Sequence, residues 1–222
     1  MEIKVVRQIL EWNEDCSNEI KEILKNKGIY MINVMGSPGA GKTSLIVEMI
    51  KRLSTNYKVA VIEGDIAGQI DAKKIDALGI PVVQLNTDGA CHIEAMSISH
   101  ILQYFDLDKI DILLIENIGN LVCPAEFNIG EDIRIAILSV PEGDDKVEKY
   151  PLMFATSEAL VLNKYDMKEH FDFEDIKVEN IAKDMNPKLQ VFRISTRSQL
   201  GMEELIDWVE KKVKSKYDEI KK

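Results

Sequence analysis

The sequence is short of the features that mark secreted, membrane-spanning or nucleic-acid-coating proteins. Only three cysteines occur in 222 residues, too few for a disulfide framework in a chain of this size. Such thiols stay free to bind metal, and the compartment they imply is the cytoplasm. No run of ~18 apolar residues is present, so no transmembrane helix is expected. The first residues, Met-Glu-Ile-Lys-Val-Val-Arg-Gln, lack the apolar core and cleavage site of a signal peptide. Positive charge is in the minority, with 28 Lys and Arg against 38 Asp and Glu for a formal charge of −10. That balance argues against broad binding to nucleic acid or to an anionic membrane. No internal repeat is visible. What the chain does have is 45% hydrophobic and 30% charged residues, enough to bury a sizeable core and stay soluble.

One stretch carries a mechanism. Gly36-Ser37-Pro38-Gly39-Ala40-Gly41-Lys42-Thr43 matches G-x-x-x-x-G-K-[ST] without a mismatch. It follows an apolar run from Tyr30 to Met35, which reads as a buried strand. It precedes a helix that opens with Ser44. The glycines allow a tight turn whose N–H groups point at phosphate oxygens, and the helix N-terminus adds partial positive charge. Lys42 is expected on the β- and γ-phosphates and Thr43 on Mg²⁺.

The rest reads as alternating strands and helices. Residues 3 to about 27 form an amphipathic helix, with Ile3, Val6, Ile9, Leu10, Ile20, Ile23 and Leu24 near helical spacing. Cys16 lies on it and is given no role. Further apolar strands are expected at 59–63, 80–85, 111–116, 134–140, 159–162 and 189–194. Helices are expected at 69–78, from Cys91-His92 to about Phe105, and at 202–216, with a fraying Lys-rich end. Near-continuous apolar strands separated by helices imply an α/β fold, a P-loop NTPase with a mostly parallel sheet of about seven strands covered by helices on both faces. The division expected is an N-terminal helix, 1–28, packed on one domain, 29–222.

Asn163-Lys164-Tyr165-Asp166 follows the sixth strand. In an N-K-x-D pattern the aspartate accepts from guanine N1–H and the 2-amino group. Adenine lacks that donor pair and would leave the carboxylate unpaired. Asn163 would hold the loop and Lys164 would lie over the ring. Ser195 closes the seventh strand, either to offer a backbone N–H to guanine O6 or to cap a turn. Glu116-Asn117-Ile118-Gly119 occupies the place of an Asp-x-x-Gly, with the acid on Mg²⁺ and the Gly119 N–H on the γ-phosphate. Asp65 is a candidate to orient the attacking water and to join the Mg²⁺ shell, or else a cap. Asp71 is a second candidate for that shell. Asn120 stands where small signalling GTPases place a glutamine, so slow intrinsic hydrolysis is expected.

Cys91-His92 and Cys123 fall on loops at the carboxyl ends of parallel strands, beside the nucleotide face. Two thiolates and an imidazole suit Zn²⁺, Ni²⁺ or Cu. Two unconnected buried cysteines and a surface His are the plainer alternative. A twofold dimer would supply a second set of ligands. His100, two helical turns on from His92, is a possible extra ligand.

Taken together, the phosphate loop, Glu63-Gly64-Asp65, Cys91-His92, the segment 116–124 and Asn163–Asp166 resemble HypB, the GTPase family of [NiFe]-hydrogenase maturation. The resemblance implies GTP hydrolysis to GDP coupled to nickel delivery into the hydrogenase large-subunit precursor, with other maturation proteins as partners. It also implies GTP-linked homodimerisation with metal at the interface. It places Cys91, His92 and Cys123 at the metal and Lys42, Thr43, Asp65, Glu116, Asn163 and Asp166 at the nucleotide. The N-terminal Cys-rich motif and His-rich tract of some bacterial members are absent, and Met96 stands where some archaeal members carry another His. UreG, the urease-maturation GTPase, is similar in plan, but its typical metal motif is Cys-Pro-His on one loop. A regulatory GTPase with a structural zinc is a reading of another class. An ATP-dependent kinase fits N-K-x-D poorly.

Overall fold

The computed structural model describes residues 2–65, 74–87 and 89–220, with side chains from Leu10 onward except those of Asp65, Glu219 and Ile220. Seven strands form one sheet: β1 Tyr30–Gly36, β2 Val59–Asp65, β3 Val82–Asn86, β4 Ile112–Glu116, β5 Ile133–Ser139, β6 Ala159–Asn163 and β7 Gln190–Arg193. Their order is β3-β2-β4-β1-β5-β6-β7, and every pairing is parallel. The cause is visible in the sequence. The central strands β1, β4 and β6 are buried along their whole length, so both faces need apolar side chains and both need covering.

One face carries α2 (Lys42–Leu53) and α8 (Met202–Ile220), whose Leu45, Met49, Leu205 and Val209 pack on Ile32, Val34 and Ile135. The other face is covered in two parts. Helices α1 (Glu2–Lys27) and α3 (Ala95–Leu102) pack over β2 and β4 through Ile20, Leu24, Ile98 and Ile101. Helices α6 (Pro151–Ala155) and α7 (Asp175–Met185) pack over β5 and β6 through Phe154, Val178 and Ala182. Two single-turn helices, α4 (Cys123–Glu126) and α5 (Lys146–Lys149), lie in the connections before and after β5.

Three expectations are corrected. Cys91-His92 does not open a helix. Glu94 is extended (φ −98°, ψ 155°) and α3 begins only at Ala95, so the pair sits on a loop. The core-facing stripe of α1 runs through Asn13, Ser17, Ile20 and Leu24, while Leu10 and Ile23 are exposed. Ile3, Val6 and Ile9 have side chains outside the described residues. The Lys-rich end does not fray before Tyr217. Lys216 Nζ donates to Ile29 O and Asp132 Oδ2, both at 2.7 Å, and Tyr217 donates its hydroxyl hydrogen to Asp111 O at 3.2 Å. Helix α7 was not foreseen, because its apolar residues Ile176, Val178, Ile181 and Ala182 are few among charges. Of the helix expected at 69–78, residues 74–76 are helical and 69–73 lie outside the described residues.

The loop after β6 is pinned by a charged cluster. Asp175, nearly buried, accepts from Tyr165 Oη at 3.0 Å and Arg193 Nε at 2.7 Å, and pairs with Lys168. Burial alone would raise the Asp175 carboxyl. The hydrogen bonds from Lys168, Arg193 and Tyr165 outweigh it and hold the group at about 2, against 3.8 ordinarily. A depressed carboxylate stabilises the fold above its unfolded value and loses that contribution as pH falls through its folded value. Acid titration of unfolding free energy should therefore lose of the order of 2 kcal/mol between about pH 4 and pH 2 through this group. Asp175→Asn should be less stable at neutral pH and lack that part of the acid loss.

Candidate functional site

The phosphate loop joins β1 to α2. Gly41, immediately before α2, has φ +100°, and a Cβ there would lie 2.4 Å from Asn163 Nδ2. Glycine is required both for the turn and for the approach of the 163–166 loop. Asn163 Nδ2 donates to Ala40 O at 2.9 Å, and Lys164 Nζ donates to Gly39 O at 2.7 Å. The N-K-x-D residues are thus bound to the phosphate loop itself. Lys164 takes φ +55° to make the turn, which leaves Asp166 exposed in the 3₁₀ segment Tyr165–His170. Ser195 is buried. Its N–H is donated to Leu200 O and its Oγ accepts from Ser198 N–H at 3.1 Å, so its side chain caps a turn.

A cleft of about 520 Å³ opens over the loop. Pro38, Gly39, Gly41, Lys42, Thr43 and Ser44 line one side; Glu116 to Gly119 line the other, with Glu63, Lys74 and Lys164 at its edges. Lys42 Nζ donates to Gly36 O and Ser37 O, and Ser37 Oγ hydrogen-bonds Glu142 on the turn after β5. Thr43 Oγ1 donates to Glu116 Oε1 at 2.7 Å. A hydroxyl and a carboxylate in contact beside a phosphate cradle are the donor set of a hard cation such as Mg²⁺. Glu63 pairs in register with Glu116 and is buried. It went unassigned from sequence, although it is the one charge in the run 59–63 and so had a signal. Asp65 ends β2 with its side chain outside the described residues, and Asp71 lies outside them altogether.

Cys91, His92 and Cys123 are brought together. Their donor atoms all lie within 4.8 Å of one another. The Cys91 thiol donates to Cys123 Sγ at 2.9 Å, and Cys91 Sγ lies 3.6 Å from His92 Nδ1. His92 stacks on Phe127 at 3.9 Å between ring centroids, and its Nε2 is buried with no hydrogen-bond partner among the described residues. Burial pulls the imidazole below its usual range and favours the neutral, ligating form. The hydrogen bond to Cys91, then burial, hold the Cys123 thiol above its usual value. Two thiols and an imidazole gathered this closely are donors that would hold a borderline-soft cation. His100, exposed on α3, is not among these donors, and Cys16 packs half-buried beside the α1–α3 core.

The two sites touch through Asn120. Its backbone bridges Gly36 at the head of the phosphate loop. Its Nδ2 donates to Cys91 O at 3.3 Å and its Oδ1 accepts from Val122 N–H at 2.8 Å. A second brace comes from α1. Asn13 donates to Asn128 O at 2.7 Å and accepts from Ala95 N–H at 2.9 Å, tying the segments after Cys123 and after His92 to one side chain. Neither asparagine had a sequence signal for this role.

Residues 30–193 match the family model described as the CobW/HypB/UreG nucleotide-binding domain. The probable hydrogenase maturation factor HypB of Methanocaldococcus jannaschii is 37% identical over 212 residues, covering 96% of both chains. The chain belongs to the HypB family of hydrogenase maturation factors. HypB of Escherichia coli K12 is 43% identical, over 94% of this chain and 72% of its own. Among solved structures, HypB of Archaeoglobus fulgidus superposes with a TM-score of 0.86 at 35% identity, over 92% of this chain and all of its own. HypB of Helicobacter pylori, solved in complex with nickel, superposes with a TM-score of 0.86 at 36% identity, over 92% of this chain and 96% of its own.

The two walls of the nucleotide cleft approach closely at Gly119 and Pro38. A Cβ on Gly119 would meet Pro38 Cγ at 2.8 Å and Pro38 N at 2.9 Å. Relieving that overlap costs about 1–3 kcal/mol. Gly119→Ala should therefore weaken binding of a fluorescent nucleotide by tenfold or more. Wild-type affinity would show that the two walls need not touch.

Proposed function

We propose that this HypB chain is a GTP-hydrolysing metallochaperone that carries nickel or zinc at Cys91, His92 and Cys123 and assists nickel insertion into [NiFe]-hydrogenase in the cytoplasm. The observation that carries this reading is the position of Asn120. One residue bridges Gly36 of the phosphate loop and holds the Cys91 carbonyl, so a change at the nucleotide is felt at the donors.

Asn163, Lys164 and Asp166 select guanine, with Asp166 accepting from N1–H and the 2-amino group. The O6 contact falls to N–H groups beyond Ser195, whose own is taken by Leu200. Gly36 to Thr43 and Ser44 cradle the phosphates, and Lys42 turns from the Gly36 and Ser37 carbonyls to the β- and γ-phosphates. Thr43 and Glu116, with Asp65 and Asp71 as further candidates and Glu63 behind them, would hold Mg²⁺, which neutralises charge on the phosphate oxygens. Asp65 orients a water that attacks the γ-phosphorus as its bond to the β–γ bridging oxygen breaks, leaving GDP and phosphate. The Gly119 N–H reads the γ-phosphate. With Asn120 in the glutamine's place, intrinsic turnover is slow.

Nickel or zinc is the cargo. The H. pylori relative was solved with nickel, and this chain's thiol pair and neutral imidazole are ligands of matching softness. Three donors leave coordination open. A GTP-bound homodimer would complete it from a partner copy, and hydrolysis would loosen it toward the hydrogenase large-subunit precursor and other maturation proteins.

Cys123→Ala removes a donor without touching the cleft. Nickel and zinc affinity should fall by at least ~100-fold, beyond the 10–100-fold typical of losing an outer-shell partner, with GTP affinity unchanged. Light scattering with a non-hydrolysable GTP analogue should show less dimer at equal metal. Unaltered metal affinity would place the cargo elsewhere.

A further inference from the structure

Beneath the two sites runs a chain of buried polar side chains that the proposed cycle does not use. Asn117, next after Glu116, donates from Nδ2 to Asn33 Oδ1 at 3.2 Å, and its Oδ1 accepts from Ile118 N–H at 2.9 Å. Asn33 Nδ2 donates to Glu131 Oε1 at 3.3 Å. Glu131 Oε2 accepts from Ile129 N–H at 2.8 Å, and Oε1 pairs with Arg134 Nε. The other arms of the guanidinium donate to Ala125 O at 3.1 Å and Phe127 O at 3.2 Å. Phe127 is the residue stacked on His92. Asn33 is 0%, Asn117 1% and Glu131 7% exposed.

Stability alone is a weak reason for this arrangement. Asn33 shares its side of β1 with the apolar Met31 and Met35, and a buried ion pair is often matched or bettered by well-packed apolar residues. Geometry does account for it. A guanidinium is planar and holds several acceptors in fixed directions at once, which an ammonium cannot do. Here it locks a carboxylate and two carbonyls from the segment 125–131. Cys123 lies two residues before that segment, on the same single-turn helix as Ala125; the carboxylate is tied through Asn33 to the turn that lines the nucleotide cleft.

We propose that Arg134, held by Glu131 and Asn33, is a positioning residue that fixes the 123–127 segment against the 116–119 turn. A shift of Asn117 is passed through Asn33, Glu131 and Arg134 to Cys123, and through Phe127 to His92. This route is separate from the surface contact of Asn120. It rests on the proposed function, since it presumes metal at Cys91, His92 and Cys123 and a turn that responds to nucleotide.

The test is nickel affinity of the full chain, by competition with a chromogenic chelator, with GDP and with a non-hydrolysable GTP analogue. Wild type, Arg134→Lys and Asn33→Ser are compared, with melting temperature recorded for each. Arg134→Lys keeps the charge beside Glu131 but cannot hold both carbonyls. It should lose about tenfold in nickel affinity in both nucleotide states. Asn33→Ser leaves the Arg134 clamp in place. It should keep the GDP-state affinity and lower the ratio between nucleotide states to the part that Asn120 carries. Wild-type affinities and ratio in both variants overturn the proposal, as does a lowered melting temperature with the ratio intact. If wild type itself shows a ratio of one, nucleotide gating fails, and the Arg134→Lys loss still decides whether the clamp positions the metal loop. If wild type binds no nickel, both the functional reading and this inference fall.

Discussion

The pairing of β4 with β1 is the constraint on which the rest depends. Val34 lies in register with Glu116, and Val34 O accepts from Asn117 N–H at 3.0 Å. The phosphate loop leaves β1 and the segment 116–127 leaves β4 from adjacent positions on the same edge. They meet at once, with Gly119 against Pro38, Asn120 beside Gly36 and Thr43 on Glu116. Seven residues separate Glu116 from Pro124, so Cys123 cannot stray far from the cleft. Cys91 comes from the loop after β3, two strands away, and reaches Cys123 because β2 and β3 continue the same parallel edge.

Proximity alone does not couple two sites. Coupling needs an element whose arrangement both ligands bias. In the proposed cycle the 116–127 segment is that element. Its first part faces the cleft, its last part bears Cys123, and both ends are held by hydrogen bonds. Each such bond contributes only about 1 kcal/mol net. A coupling of 1–3 kcal/mol, five- to 150-fold in affinity, therefore needs no more than a few bonds exchanged between two arrangements. Asn120 at the surface and the Asn117–Arg134 chain beneath it are enough in number.

Much of this was legible in the residues because the chemistry is local. The phosphate loop is one stretch of sequence. The buried strands are apolar runs with no competing period, so β1 through β7 fell within a residue or two of their expected limits. The gathering of Cys91, His92 and Cys123 followed from parallel topology. What was not legible depends on partners distant in sequence. The core stripe of α1 contains Asn13 and Ser17, which apolar periodicity passes over; Asn13 is buried only because Asn128 and Ala95 satisfy it. The start of α3 was placed too early, since nothing local marks the extended Glu94. Ser195 caps a turn because Leu200 folds back on it. Arg134 and Glu131 read as ordinary charges at a strand edge until the fold surrounds them.

The most direct measurement of the central claim is the affinity of the wild-type chain for a non-hydrolysable GTP analogue, with and without bound nickel. Linkage requires the nucleotide to feel the metal by the same factor that the metal feels the nucleotide. The account predicts tighter binding of the analogue, by about five- to 150-fold, when nickel occupies Cys91, His92 and Cys123. Equal affinities would show that the two sites share a loop without sharing free energy, and would contradict it.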